Sequence, residues 1–408
     1  MTDASFSDRI DFVTQLARSL HAVGTTAQRL EGAICAIAAR LRLVCNPWSN
    51  PTGLILSFGD PDDPAAGETT RVIRLEPGEI DLRKLCQADA IAEQVMRGEM
   101  GLNAGARALE ALKRLPSRRG AALTIFSFGL TSASVAALFR TGWSGIASAA
   151  CIGWLIGALS ILGSGRPRLA EALDALSALF ATVLVYLIAH HVTPLPVQAV
   201  VVSSVIVLLP GLMLTNAVSE LSSQHLVSGS ARFAGAMAVL LKLTFGAVAG
   251  TQLAQALGWT VPESVVIVQP AWLDWVALLV GSYAFAVLFR ADRRDYPVVM
   301  AAAWLGFLCT RHTGAALGGE AGVFVAGLVI GAAANLYARC FRRPGAVVRV
   351  PGIILLVPGS VGFRGLNFVL ERDVALSLDT GFTLFAILVS LVAGLLFGNL
   401  LVPARHNL

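Results

Sequence analysis

Charge is what this chain has least of. Only 14% of its 408 residues are Asp, Glu, Lys or Arg, against roughly 25% in an ordinary soluble domain. Mean hydropathy is +0.70. That excludes a disordered chain, and a wholly soluble one is not expected. Cysteines are few and scattered, at 35, 45, 86, 151, 309 and 340. No pair has metal-ligand or redox spacing, so neither a zinc site nor a disulfide framework is read. No GxxxxGK loop is present, which argues against ATP-driven pumping. HExxH and GxSxG are missing too, so zinc and serine hydrolase chemistry lack their central residues. The expectation is no enzyme, no metal and no cofactor. A secretory leader is also not read. The first thirty residues alternate charged and apolar positions, as an amphipathic helix does, and this assigns the N-terminal segment to the cytoplasm.

The charge that exists is unevenly spread. Residues 1–118 carry 15 acidic and 14 basic side chains, and the remaining 290 carry 11 and 17. The first segment is soluble in character and the second membrane-like. The net charge of +5 therefore arises in the hydrophobic part. There it reads as arginines flanking membrane spans, not as a nucleic-acid surface.

Residues 1–118 are expected to form a small cytoplasmic α+β domain. Phe12, Leu16, Leu20 and Val23 have helical spacing over 6–22, and Gly24 ends that helix. Thr25 with Gln28 reads as a capping box opening a second helix, which carries Arg29 and Glu31 near its start. The stretch Asn46-Pro47-Trp48-Ser49-Asn50-Pro51 reads as turn chemistry. Strands are expected at 53–58 and 70–75, and helices at 79–98 and 103–113. Lys113, Arg114, Arg118 and Arg119 lead into the membrane.

Apolar runs fall at about 121–139, 144–163, 169–190, 196–217, 231–257, 271–289, 295–310, 319–338, 348–370 and 376–402. A span needs roughly 20 apolar residues, so the runs predict ten transmembrane helices. With the head in the cytoplasm, inner loops hold Arg166, Arg168, Arg232, Arg290, Arg293, Arg294, Arg339, Arg342, Arg343 and Arg405. Outer loops hold only Arg140, Arg311 and Arg372. The positive-inside bias assigns both termini to the cytoplasm of a multi-pass protein in the cell inner membrane.

Leu208-Leu209-Pro210-Gly211 resembles Leu356-Val357-Pro358-Gly359, 148 positions later, and Arg140 has a counterpart in Arg290, 150 later. Two five-helix repeats follow, 119–258 and 270–403. Five is odd, so the second copy enters from the opposite side, as in many secondary transporters. Each Pro-Gly pair breaks a span and frees backbone groups that cannot face lipid. Half-helix ends carry partial charges suited to the carboxylate and ammonium of an amino acid. Around the breaks lie Thr215, Asn216 and Glu220, and Ser360 and Arg364. With Pro210, Gly211, Pro358 and Gly359 they form the candidate substrate pathway.

Lys242 stands mid-span, where a charge is expensive, and needs an acidic partner. Asp174 is the first candidate and Glu220 the second. The pair reads equally as structural or as part of ion coupling. Ser228, Gly229 and Arg232 mark a cytoplasmic turn, and Glu31 of the head is a candidate partner for an inner-loop arginine such as Arg232.

These residues resemble a known family. The segment 208–232, with Pro210, Gly211, Thr215, Asn216, Glu220, Ser228, Gly229 and Arg232, is similar to the signature of the threonine/serine exporters. Gly24, Arg29, Glu31 and the Pro51-Thr52-Gly53 turn resemble the family's head motif. Residues 352–364, with Pro358, Gly359 and Arg364, resemble its C-terminal half. Some bacteria carry the halves as separate proteins, and here they are fused. Family members commonly have Asp in the place of Glu220. The resemblance implies export of threonine and serine driven by the proton motive force. The partners expected are thus a small amino acid and the lipid bilayer, with a homo-oligomer open and no nucleic acid. The rival is a membrane-anchored sensory or regulatory module whose head binds a partner.

Overall fold

The computed structural model describes residues 5–63, 67–112, 118–261, 269–370 and 374–403. Lys113, Arg114, Arg372 and Arg405 lie outside the described residues.

The head begins with α1 (Phe6–Ala22) and α2 (Ala27–Arg40). Ser5 caps α1 by accepting a hydrogen bond from Asp8 N at 3.1 Å. A three-stranded antiparallel sheet follows in the order β1 (Val44–Asn50), β2 (Gly53–Gly59) and β3 (Thr69–Arg74). Then come α3 (Leu82–Met96) and α4 (Leu102–Ala111). Phe12, Leu16 and Leu20 of α1 are fully buried against Leu30 and Ile34 of α2 and Leu54, Leu56 and Phe58 of β2.

One sequence expectation fails here. Residues 46–50 are not a turn but the body of β1, with Trp48 opposite Ile55 and Asn50 opposite Gly53. Only Pro51 and Thr52 turn the chain. Pro47 is tolerated because β1 is an edge strand, where a missing N–H breaks no ladder.

The described residues that follow are mainly helical: α5 (Arg118–Leu138), α6 (Gly142–Gly163), α7 (Pro167–His191), α8 (Val197–Val205), α9 (Gly211–Ser222) and α10 (Leu226–Ala256). Then follow α11 (Trp272–Leu288), α12 (Tyr296–Leu317), α13 (Gly319–Phe341), α14 (Ala346–Ile354), α15 (Gly359–Leu370) and α16 (Val374–Leu401). Among the described residues, seven helical stretches are long and apolar enough to cross a membrane, α14 and α15 counting as one (Ala346–Phe368), or eight if the bent pair α8–α9 is one span. The ten expected spans are thus not all met on length and composition. The runs at 271–289 and 295–310 fall short: α11 is apolar but has only 17 residues, and α12 carries Arg311 and His312 in its last turns.

Small residues let these helices approach closely, the main means of packing in lipid. Gly327 and Gly331 of α13 face Gly394 and Gly398 of α16; a Cβ on Gly331 would lie 3.4 Å from Gly398 Cα. After α5 and after α11 the chain reverses through a left-handed arginine, Arg140 (φ 55°) and Arg290 (φ 52°).

The head is bound to the membrane part by backbone as well as side chains. Leu82 N donates to Phe289 O at 2.9 Å and Arg83 N to Arg290 O at 3.2 Å. Leu82 and Cys86 are buried with Phe285, Phe289 and Val347. Arg290 pairs with Glu79 at 3.2 Å and Asp81 at 3.7 Å.

Candidate functional site

Both helices are interrupted at their prolines. α8 passes through a short 3-10 turn, Ile206–Leu208, and α9 leaves at 61° to it after Pro210. α14 stops at Ile354, and α15 restarts after Pro358. The structure brings the two breaks together. A Cβ built on Gly211 would overlap Val357 Cγ1 and lie 3.2 Å from Gly359 N, and one on Gly359 would lie 3.2 Å from Gly211 Cα. Two 12-residue half-helices therefore begin at one point. Their N-terminal ends, with free amides and positive partial charge, converge there.

A cavity lies on either side of this contact. The one away from the head is about 930 Å³ and is lined by Tyr186, Gln198, Val202, Trp259 and Arg364. The other is about 80 Å³ and lies between head and membrane part, lined by Thr25, Arg29, Asn216, Ala346, Arg349 and Val350. Three wall positions correspond across the two. Gln198 and Ala346, Val202 and Val350, and Asn216 and Arg364 are each 148 positions apart.

Glu220 sits at the centre of a second cluster, at the foot of α9. Its carboxylate is 1% exposed. Arg232 Nε donates to both oxygens at 3.0 Å, and Ser228 Oγ donates to Oε2 at 2.8 Å. The third donor, making the fourth hydrogen bond, comes from the head: Ala27 N, the first residue of α2, reaches Oε1 at 2.9 Å. This corrects the expected capping box. The N-cap is Thr26, which makes no side-chain cap bond, and the membrane part supplies the carboxylate instead. The helix dipole of α2 favours a negative charge there. Gly229 allows the tight α9–α10 turn, since a Cβ there would lie 2.7 Å from Leu221 Cγ.

Glu31 does not engage Arg232. Its Oε1 accepts from Ser49 N at 2.7 Å, and its Oε2 lies 3.1 Å from His225 Nε2. The head thus grips the α9–α10 turn at two points, with carboxylates donated from opposite sides.

Lys242 pairs with Asp174 at 2.8 Å, and Glu220 is too committed to Arg232 to compete. The pair links α10 to α7 and lines neither cavity. Thr215 is buried, and its hydroxyl donates to Gly211 O at 3.2 Å within its own helix. Asn216 lines the smaller cavity, beside the head, and Arg364 the larger one. Ser360 is half-buried, in the first turn of α15.

Sequence reasoning passed over Arg349 and His225. Arg349 sits near the start of an apolar run, and an arginine inside such a run is the signal that marks it. His225 had no signal, because its partner Glu31 is 194 positions away.

Residues 11–254 match the family model described as "Putative threonine/serine exporter", and residues 274–401 match a second, "Threonine/Serine exporter, ThrE". The chain belongs to the threonine/serine exporter family. It is therefore a multi-pass membrane protein of a transporter family. Among curated proteins it is similar to pheromone-regulated membrane protein 10 of Zygosaccharomyces rouxii, 24% identical over 98% of this chain and 43% of that protein. The protein of that name in Saccharomyces cerevisiae is 23% identical over 98% of this chain and 54% of its own length. An uncharacterized protein of Schizosaccharomyces pombe is 22% identical over 89% and 49%. The chain spans about half the length of these relatives. No solved structure matches.

Proposed function

We propose that this protein is a secondary exporter of small hydroxylated amino acids of the threonine and serine kind, driven by the proton motive force. The observation that carries the reading is the contact between Gly211 and Gly359, with one cavity on each side of it. A transporter needs a barrier between two aqueous spaces, with polar backbone at the barrier to hold the cargo. The converging ends of α9 and α15 suit a carboxylate. Asn216 and Ser360, near the same ends, are the proposed partners of the substrate hydroxyl. Arg364 is the proposed carboxylate contact on the outer side.

The same reading makes the membrane part ten helices in two inverted repeats, 119–258 and 270–403, with α11 and α12 as spans. Its support is the three wall positions that the two cavities share at a spacing of 148, and the matched left-handed arginines after α5 and α11. The proposed setting is the cell inner membrane, with head and both termini in the cytoplasm. The arginine distribution supports it: Arg232 and Arg290 contact the head. Arg339, at the end of α13, holds the Pro403 carbonyl. Arg140 and Arg311 share Asp274 instead.

Inverted membrane vesicles loaded with this protein and given an imposed proton gradient test the reading. Labelled threonine or serine should accumulate only with the gradient. No gradient-dependent accumulation of any small amino acid would sink it in favour of an anchored module.

A further inference from the structure

Two arginines line the smaller, inner cavity, and neither is paired with a carboxylate among the described residues. Arg29 comes from α2 of the head and Arg349 from α14 of the membrane part. Neither guanidinium makes a hydrogen bond or ion pair with any described residue, and Nη2 of Arg349 is buried without a partner. Burial lowers the Arg29 guanidinium to about 10, which still leaves it charged at neutral pH.

The carboxylates nearby are already taken. Glu220 is held by Arg232, Ser228 and Ala27. Glu31 is held by Ser49 and His225. Asp81 lines the same cavity, but its Oδ1 accepts from Lys84 N and its Oδ2 faces Arg290. Two like charges in one small space, neither of them paired among the described residues, oppose folding. Buried charged groups of this kind, facing a cleft, cluster at functional sites.

Size narrows the anion. One water needs roughly 10–15 Å³ of such space, so a cavity of about 80 Å³ admits a group of a few heavy atoms and excludes a nucleotide. Position narrows it further. Asn216 is on the same wall, five residues along α9 from Gly211, about 7.5 Å of helix rise. The cavity is therefore the last enclosed space between the head and the broken helices.

We infer that Arg29 and Arg349 together form the cytoplasmic-side site for the carboxylate of the exported amino acid, a site that exists only when the head is docked. This rests on the exporter reading and adds to it that the head supplies half of a substrate contact. An Arg fork binds a carboxylate through two parallel hydrogen bonds, and Asn216 is placed to meet the remaining polar atoms of a small amino acid.

Full-length purified protein tests this by calorimetric titration and thermal unfolding with L-threonine, L-serine, L-threoninamide and inorganic phosphate. The variants are Arg29→Gln, Arg349→Gln and Arg349→Lys. Without ligand, both Gln variants should melt at or above wild type, since each removes an unpaired charge. Threonine affinity should fall by about tenfold to a hundredfold in each Gln variant. Arg349→Lys should recover only part of it, and threoninamide, which lacks the carboxylate, should not bind wild type. Unchanged threonine affinity in the Gln variants would overturn the inference and leave the exporter reading standing. Ligand-free melting well below wild type would also overturn it, by making the arginines structural. Wild type that binds phosphate through both arginines but binds neither threonine nor serine would overturn the inference and the exporter reading together.

Discussion

At the Glu220 cluster every buried charge has a partner, whereas around Arg29 and Arg349, on the same head–membrane boundary, neither guanidinium has one among the described residues. The first holds one carboxylate with four hydrogen bonds from three residues, one of them in the head. The second closes two guanidinium groups into one small cavity. A satisfied buried pair fixes geometry, because removing either partner strands the other. An unpaired buried charge carries a desolvation cost that no partner offsets. The contrast teaches that one buried charge cluster on this boundary is complete among the described residues and its neighbour is not.

The largest effect that would break the contrast is at Glu220. Glu220→Ala strands Arg232 and uncaps α2 together, so it should lower stability by about 3–5 kcal/mol. Limited proteolysis should then release the head. A variant that melts like wild type and keeps its head protected would show that the cluster does not hold the boundary.

Gly211→Ala comes next. Its methyl meets Val357 and the Gly359 backbone, with little room to shift, and overpacking of this kind costs about 1–3 kcal/mol. Transport should fall with it. Gly381→Ala in α16 is the control, because a Cβ there meets nothing within 4 Å. Equal melting temperatures and equal transport for the two variants would remove the tight contact from the account.

Lys242 and Asp174 sharpen the comparison from outside the boundary. Each single change to Met or Leu leaves one charge in the membrane, so each should destabilise more than the double change does. If the pair is structural, the double variant should also transport. A folded double variant that no longer responds to the proton gradient would assign the pair to coupling.

The smallest expected effects are at the breaks. Asn216→Ala and Ser360→Ala should each weaken threonine affinity by about 0.5–1.5 kcal/mol, a few-fold, with little change in melting temperature. Thr215→Ala should leave affinity alone, because its hydroxyl is turned back on its own helix. Binding and melting measured on the same preparations separate the two outcomes. Lower melting with unchanged affinity in Asn216→Ala would mean the side chain only supports the backbone.

Much of the molecule was legible in the chain. The helical stripe of Phe12, Leu16 and Leu20 defines α1 because apolar side chains at that spacing share one face. The Pro-Gly pairs mark the broken spans because proline removes a donor wherever it stands. Lys242 led to Asp174 because a lone cation in an apolar run has few acids within reach. The failures share a cause. Asn46–Asn50 looks like a turn from its residues alone, and only pairing with β2 makes it a strand. Thr25 and Gln28 look like a capping box, and only the arrival of Glu220 from 193 positions away takes that role from them.

The sequence by itself determined the division into head and membrane part, the broken helices and their 148-residue spacing, since these follow from local charge, hydropathy and backbone chemistry. Only the tertiary structure decided the partners. Glu31 faces His225 rather than Arg232, and Arg232 holds Glu220. Arg29 of the head shares a cavity with Arg349 of the membrane part. The physical reason is that a charge records what it needs in the sequence, but which group supplies it depends on which helix ends the packing brings together.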